Sequence, residues 1–119
     1  MAGQIVDRDA LEVLKEVGAD DADFLPRILR LFLTSVPPQL ERLKQHLAKG
    51  EARELAGVAH GLLSSTRNVG AEALSELLVG IENAGKAQKL NDAGPLVAQI
   101  DSIYSKTKIV LQEILNAPT

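Results

Sequence analysis

Apolar residues recur every three to four positions along nearly the whole chain, and this helical periodicity restricts the fold more than any other feature. No stretch alternates apolar and polar residues for long enough to predict a β-strand. Hydrophobic residues make up 45% of the 119 residues but aromatic residues only 3%, so the core must consist mainly of Leu, Ile, Val and Ala. Such side chains pack well between helices. We therefore predict an all-α fold.

Capping residues, glycines and prolines divide the periodic pattern into five helices. Asp7 and Gly18 have the residue types that begin and end a helix. Pro95 is predicted to lie in the first turn of the last helix, where proline is tolerated. The predicted helices are 7–18, 20–50, 51–68, 71–90 and a last one that is capped by Asn91 or Asp92.

The second predicted helix contains two prolines in its middle. Asp20 and Asp21 are predicted to cap its start. Because proline lacks the N–H and clashes with the preceding turn, Pro37 and Pro38 predict either a kink near Ser35 or two collinear helices.

The connections between the predicted helices are short, which favours an antiparallel up-down-up-down four-helix bundle with a short extra N-terminal helix. The length of 119 residues, without repeats or a long linker, predicts a single domain over 1–119. We expect a monomer, since four helices can bury these apolar stripes within one chain.

Charge and composition exclude several classes of function. The net charge of −3 disfavours nucleic acids and anionic membrane surfaces, which require clustered Lys and Arg. The chain has no cysteine, which excludes disulfides and thiolate chemistry. Since no apolar run is long enough to span a membrane and the N-terminus lacks the pattern of a signal peptide, we expect a cytoplasmic protein without a membrane-inserted segment.

His60 is predicted to point away from the core of the third helix. On a helical wheel with about 100° per residue, the core stripe lies within roughly 40° of the side opposite this histidine. The stripe consists of Leu55, Val58, Leu62 and Val69. The residues nearest to His60 on the wheel are Arg53, Ala56, Gly57, Leu63, Ser64 and Arg67.

The predicted surround of His60 suits an anion delivered by a macromolecule. Ala56, Gly57 and Ser64 are small, which leaves room for an approaching macromolecule. A glycine inside a helix costs about 1 kcal/mol relative to alanine, so Gly57 needs a reason such as this one. Arg53 and Arg67 place positive charge near the imidazole of a chain that is acidic overall.

An exposed imidazole permits few kinds of chemistry. A metal site needs several ligands, and none lies near His60 in the sequence. A serine hydrolase needs a pocket and an oxyanion hole, which Ser64 on the same exposed face does not supply. A neutral imidazole is nevertheless a competent nucleophile that can take a phosphoryl group from an acyl phosphate. A lone exposed histidine can also be an ordinary surface residue, and we interpret His46 in this way, as a solvated side chain beside the stripe of the second helix.

The segment AHGLLSSTRNVGA, residues 59–71, resembles the signature of histidine-containing phosphotransfer domains, approximately A-H-x-L-K-G-S-[SA]-x-x-[LV]-G-A. The long second helix and the segment ALSELLVGIENAG also resemble this family. The matching residues are Ala59, His60, Leu62, Ser65, Asn68, Val69, Gly70 and Ala71, of which Asn68 and Gly70 belong to the turn after the site helix.

Two positions depart from the family pattern. Leu63 stands where the family usually has a lysine that assists the phosphoryl group, and Ser64 stands where it usually has glycine. Serine is small, so the second change is mild. Arg67 or Arg53 could supply the missing cation, because arginine binds phosphate oxygens well.

The resemblance implies a phosphorelay intermediate. His60 would accept a phosphoryl group from the aspartyl phosphate of a response-regulator receiver domain and pass it to the aspartate of another, with Gly57, Leu63, Ser64 and Arg67 around it. The domain would hold no cofactor and have no independent turnover, since the receiver supplies Mg²⁺. Receiver domains would be the partners, together with a hybrid sensor histidine kinase in cis or in trans.

Two alternative functions remain. The first is a non-catalytic module that docks receivers, which Leu63 favours, and the second is a purely structural bundle.

Overall fold

The computed structural model describes residues 4–117, which form five α-helices and no β-strand. The helices are α1 Arg8–Val17, α2 Phe24–Ala48, α3 Ala52–Asn68, α4 Glu72–Lys86 and α5 Leu90–Asn116. The helices α2 to α5 pack in a closed ring in which each contacts the next and α5 contacts α2, while α1 packs on α2 and α3. The predicted antiparallel four-helix bundle with a short extra N-terminal helix is confirmed. The predicted domain over 1–119 includes residues 1–3 and 118–119, which lie outside the described range.

A single apolar core fills the interior of the ring. Its largest fully buried side chains come from all four bundle helices, and burial of each contributes about 1.5–3 kcal/mol to folding. They are Leu29, Leu43, Leu55, Leu74, Leu78, Ile81, Ile100 and Leu111. No helix among residues 4–117 combines the length and the apolar character that a membrane span requires.

The first two helices begin as their capping residues allow. The Asp7 carboxylate accepts a hydrogen bond from the Asp9 N–H at 3.0 Å, which confirms the predicted start of α1. The predicted cap of α2 at Asp20 or Asp21 is wrong, because α2 begins at Phe24. Asp21 instead accepts from the Asp23 N–H at 3.0 Å and so stabilises the turn before the helix.

Both prolines lie within α2, which continues from Phe24 to Ala48 as one helix rather than as two collinear ones. Pro37 has no N–H to donate to the carbonyl of Leu33, four residues earlier. The hydroxyl of Tyr104, on α5, donates to that carbonyl at 3.3 Å. A side chain of a neighbouring helix therefore satisfies the acceptor that the proline leaves free.

The three connections within the bundle each have three residues and share one geometry. Their middle residues have positive φ, which is 71° at Gly50, 70° at Gly70 and 56° at Gln88. In each connection the third residue donates its N–H to the carbonyl five residues earlier. These bonds are Glu51 to His46 at 2.9 Å, Ala71 to Thr66 at 2.8 Å and Lys89 to Ala84 at 2.9 Å. This is the Schellman arrangement, which satisfies carbonyls at the end of a helix.

The last of these connections corrects the predicted boundaries of the two C-terminal helices. α4 ends at Lys86 rather than near Leu90, and α5 begins at Leu90 rather than after Asn91 or Asp92. Pro95 is consequently the sixth residue of α5, in the second turn of the helix rather than in the first. The boundary was missed because Gln88 occupies the left-handed position at which a glycine would signal the end of a helix.

Replacement of Gln88 by glycine should stabilise the domain. A side chain in the left-handed region costs roughly 1–2 kcal/mol, which the greater entropy of glycine in the unfolded chain only partly offsets. We expect the free energy of unfolding to rise by about 0.5–1 kcal/mol, as measured by chemical denaturation. Gln88→Ala keeps a Cβ at the same φ and should leave stability nearly unchanged. A stability gain from alanine equal to that from glycine would show that the left-handed conformation of Gln88 is not the cause.

Candidate functional site

His60 lies in the middle of α3 with 74% of its side chain exposed. The predicted core stripe on the opposite side of the helix is buried, as expected, and comprises Leu55, Val58, Leu62 and Val69. The prediction that His60 points away from the core is therefore confirmed.

A buried carboxylate of α4 holds the imidazole of His60. The His60 Nδ1 lies 2.8 Å from Glu82 Oε2, and the Glu82 side chain is only 9% exposed. Because an ionised carboxylate can only accept hydrogen bonds, Nδ1 is the donor. In the neutral ring the proton therefore lies on Nδ1, and the lone pair available for chemistry lies on Nε2.

Lys86, one turn after Glu82 on α4, completes this cluster. Its ammonium Nζ lies 2.9 Å from the same Glu82 Oε2 that binds His60. The hydrogen bond from Lys86 holds the pKa of the Glu82 carboxyl below its usual value, and the contact with His60 acts in the same direction, while burial opposes both. Glu82 is therefore ionised near neutral pH and can orient the imidazole.

The structure places four of the six predicted neighbours of His60 on the surface and two in the interior. Arg53, Gly57, Ser64 and Arg67 are exposed. The placement of Ala56 and Leu63 on the exposed face is wrong, because they are 6% and 4% exposed. A Cβ on Gly85 of α4 would lie 2.9 Å from the Ala56 Cβ, so the two helices approach closely on this side.

Two depressions meet at Gly57, one turn before His60. Toward α4, the depression is lined by Arg53, Ala56, Gly57, Gly85, Lys86 and Gln88. Toward α2, Gly57 and Gly61 line the other depression with Ser35, Gln39, Arg42 and Ser65. The imidazole therefore lies on an open surface flanked by shallow grooves rather than inside a pocket.

Arg67 and the turn after α3 lie at the C-terminal end of α3, away from the depressions beside Gly57. Arg67 lines a separate depression with Asp7, Glu72 and Glu76. The carbonyl of Gly70 accepts the N–H of Asp7 at 2.7 Å, so the turn anchors the start of α1. Asn68 is the exposed last residue of α3. These residues support the fold around the site but do not contact the imidazole cluster.

The prediction for His46, the second histidine, is wrong. Its side chain is 20% exposed, and Nδ1 lies 2.9 Å from Glu51 Oε1. His46 lies in the last turn of α2, where the following connection folds Glu51 back onto it. This pair links α2 to the start of α3 and is half-buried rather than solvated.

Glu82 and Lys86 are not among the site residues predicted from the sequence, although the register of the α3–α4 hairpin points to Glu82. Residues equally distant from the Gly70–Ala71 turn face each other in α3 and α4. Thr66 and Ser75, four residues from the turn on either side, are hydrogen-bonded at 2.8 Å. By the same register His60 lies opposite residues 81 and 82, where Ile81 is apolar and Glu82 is charged.

Within residues 4–117, no group of three or more His, Asp or Glu side chains is placed to hold a metal ion. Glu82 is already engaged by His60 and Lys86.

Comparisons with known proteins find similar sequences and similar structures. The chain is 29% identical over 98 residues to the phosphorelay protein LuxU of two strains of Vibrio vulnificus, covering 82% of this chain and 83% of the relative. Its structure is similar to that of histidine-containing phosphotransfer protein B of Pseudomonas aeruginosa, with a TM-score of 0.88, 23% identity and coverage of 98% and 99% of the two chains. A histidine-containing phosphotransfer protein of Medicago truncatula gives a TM-score of 0.79 at 21% identity, with 93% and 76% covered.

The family assignment rests on a match over most of the chain. The sequence profile of the Hpt domain, the histidine-containing phosphotransfer domain, matches residues 27–116, which include α3, α4 and the His60 cluster. The chain therefore belongs to the Hpt domain family.

Proposed function

We propose that this domain is a phosphorelay intermediate in which Nε2 of His60 accepts a phosphoryl group from the aspartyl phosphate of a receiver domain and passes it to the aspartate of another. The observation that carries the proposal is the exposed imidazole whose Nδ1–H is donated to the buried Glu82 carboxylate. This arrangement directs the nucleophilic lone pair of Nε2 toward an incoming partner.

The proposed step is a displacement at phosphorus. The lone pair of His60 Nε2 forms the N–P bond while the P–O bond to the partner's aspartate breaks and its carboxylate leaves with the electron pair. Nδ1 keeps its proton, so the ring of the product is positively charged. The Glu82 carboxylate, 2.8 Å away, stabilises that charge. The reverse sequence delivers the phosphoryl group to the second receiver.

The open surface around His60 requires that the partner bring the rest of the active site. The grooves beside Gly57 and Gly61 offer space for an approaching protein, and Glu82, the carboxylate beside His60, is already engaged. We therefore propose that the Mg²⁺ and the acidic residues that bind it belong to the receiver. The domain would act in this way as a monomer in the cytoplasm, with receivers and a sensor kinase, in cis or in trans, as its partners.

Phosphoryl transfer from a labelled receiver domain tests this proposal. The domain should gain one phosphate that is labile in acid and stable in alkali, as expected for a phosphohistidine. A second, unlabelled receiver should then remove it. Failure of the wild-type domain to gain label from any receiver that binds it would overturn the proposal.

A non-catalytic docking module is the second candidate, and one observation favours it. Leu63 stands where the family pattern has lysine, and its side chain is buried and uncharged. Under this alternative the domain binds receivers but gains phosphate no faster than a His60 variant does. The labelling experiment therefore separates the two functions in a single comparison.

Gly57 and Gly61 provide a prediction about the docking surface. A Cβ at either position would meet no atom within 4 Å, so packing within the domain does not require glycine there. Gly57→Ala/Gly61→Ala should stabilise the domain by about 1–2 kcal/mol in total, because alanine is the better helix former. The two methyl groups should nevertheless weaken binding of a cognate receiver about tenfold, or about 1.4 kcal/mol, in a calorimetric titration.

Gly94→Ala is the matched control, since its Cβ would also meet nothing and α5 packs against α2 and α4 rather than bordering either groove. This control should keep full receiver affinity. Its stability should change little, because Pro95 follows directly and disfavours a Cβ on the helical residue before it. Unchanged affinity in the double variant would show that the receiver does not approach this face closely.

A further inference from the structure

A phosphoryl group on His60 would need a nearby cation to balance its charge, and α3 has no cationic side chain close to His60. A phosphoryl group carries nearly two negative charges at neutral pH. Between Glu54 and Arg67, His60 is the only ionisable side chain of α3. Arg53 and Arg67 are each seven residues from His60, which is about 10 Å along the helix axis.

Lys86 of α4 is the cation that is linked to the imidazole, through the carboxylate of Glu82. His60 Nδ1 and Lys86 Nζ lie 2.8 Å and 2.9 Å from the same oxygen of Glu82. The Lys86 side chain is 66% exposed, and its four-carbon stem is flexible, so the ammonium can move without disturbing the core.

We propose that Lys86 binds the phosphoryl group on His60, and that Glu82 is a positioning residue that holds both the imidazole and, before transfer, the ammonium. This inference rests on the proposed function. The stabilising cation then belongs to α4, whereas the sequence pattern suggests the arginines of α3.

The Glu82 carboxylate keeps a positively charged partner when Lys86 moves to the phosphoryl group. Before transfer, the Glu82 carboxylate is paired with the Lys86 ammonium and accepts a hydrogen bond from a neutral imidazole. After Nε2 is phosphorylated, the ring retains its Nδ1 proton and becomes positively charged. The ring then neutralises Glu82, and the ammonium of Lys86 is free to bind a phosphoryl oxygen. The buried carboxylate therefore has a positive partner in both states.

A small-molecule phosphoryl donor separates this role from a role in docking. Phosphoramidate transfers its phosphoryl group to Nε2 as its P–N bond breaks and ammonia leaves, without any partner protein. Lys86→Ala should slow labelling by phosphoramidate and by a phosphorylated receiver, each by about tenfold. Lys86→Arg should restore most of both rates. A loss confined to the receiver reaction would place Lys86 at the interface and overturn the proposal.

Three further variants test whether another positive charge could account for the same effect. Lys108→Ala removes an exposed lysine of α5 and should change neither rate, which controls for the loss of one positive charge. Arg42→Ala and Arg53→Ala each remove an arginine that lines a groove beside Gly57, the groove toward α4 being lined by Lys86 as well. If either arginine variant slows the phosphoramidate reaction more than Lys86→Ala does, the cation has been misassigned.

The Glu82→Gln background tests whether Lys86 acts on the phosphoryl group or only neutralises the carboxylate. Without Lys86, the Glu82 charge would repel an incoming phosphoryl group. Glutamine removes that repulsion, so a lysine that merely neutralises Glu82 would be dispensable in this background. We expect Lys86→Ala to remain about tenfold slower than its lysine-containing counterpart in Glu82→Gln. Equal rates would overturn the proposal.

The failure of this inference can be told apart from the failure of the proposed function. If wild type is labelled on His60 and Lys86→Ala is labelled equally fast, the relay function stands and the role of Lys86 is refuted. If wild type gains no phosphate on His60 from either donor, the relay function itself is refuted.

Discussion

His60→Gln is expected to abolish the acid-labile phosphorylation of this domain. Glutamine has no nucleophilic nitrogen with a free lone pair, so no phosphoramidate bond can form. Because the replaced side chain is 74% exposed, the stability of the fold should change by no more than about 0.5 kcal/mol. Labelling by a phosphorylated receiver, with thermal unfolding of the same sample, measures both quantities.

His46→Gln is the matched control, because His46 is the second of the two histidines in the chain. It lies at the end of α2 and contacts Glu51, so its replacement should leave labelling intact. If His46→Gln loses the label and His60→Gln keeps it, His46 is the acceptor and the assignment of His60 is refuted.

Gly70→Ala should destabilise the domain much more than Gly50→Ala does. Gly70 has φ 70°, and a Cβ there would lie 2.5 Å from the Asp7 carbonyl oxygen and 3.1 Å from the Ala10 Cβ. The side chain would therefore be strained and would force the start of α1 away from the bundle. We expect the free energy of unfolding to fall by about 2–4 kcal/mol, measured by denaturant titration.

Gly50→Ala separates the two contributions. Gly50 has nearly the same φ, 71°, but a Cβ there would have only Leu90 as a neighbour, at 4.0 Å. Its substitution should cost only the strain of the left-handed conformation, about 1 kcal/mol. Equal losses in the two variants would show that the contact between the turn and α1 contributes little to stability.

The helices and the outward direction of His60 could be predicted because both depend on local periodicity. The errors at the end of α4 and the start of α5 have a local cause as well. Gln88 adopts a left-handed conformation that sequence patterns assign to glycine, and the hydrogen bond from Lys89 to Ala84 compensates for it. Residue type alone does not reveal such compensation.

The misplacement of Ala56 and Leu63 has a different physical origin. A helical wheel assumes one core direction, but α3 packs against both α2 and α4, and also contacts α1. The buried arc is therefore wider than one stripe and reaches the flank beside His60. How wide it becomes depends on the close approach of α4 at Gly85, which is a tertiary feature.

The contact between His60 and Glu82 depends on the register of two helices. The predicted turn at 68–70 already placed α3 and α4 in a hairpin, and its register brings Glu82 close to His60. An acidic residue beside Ile81, within the buried stripe of α4, was the available signal. What the sequence could not provide was the sharing of one carboxylate oxygen by His60 and Lys86, because this depends on side-chain positions.

The central claim, that Nε2 of His60 accepts the phosphoryl group while Glu82 holds Nδ1–H, is tested most directly by nuclear magnetic resonance of the phosphorylated, ¹⁵N-labelled domain. We expect a single phosphohistidine with phosphorus bonded to Nε2 of His60 and the proton retained on Nδ1. Phosphorus bonded to Nδ1, or a hydroxylamine-sensitive phosphate on a carboxylate, would contradict the claim.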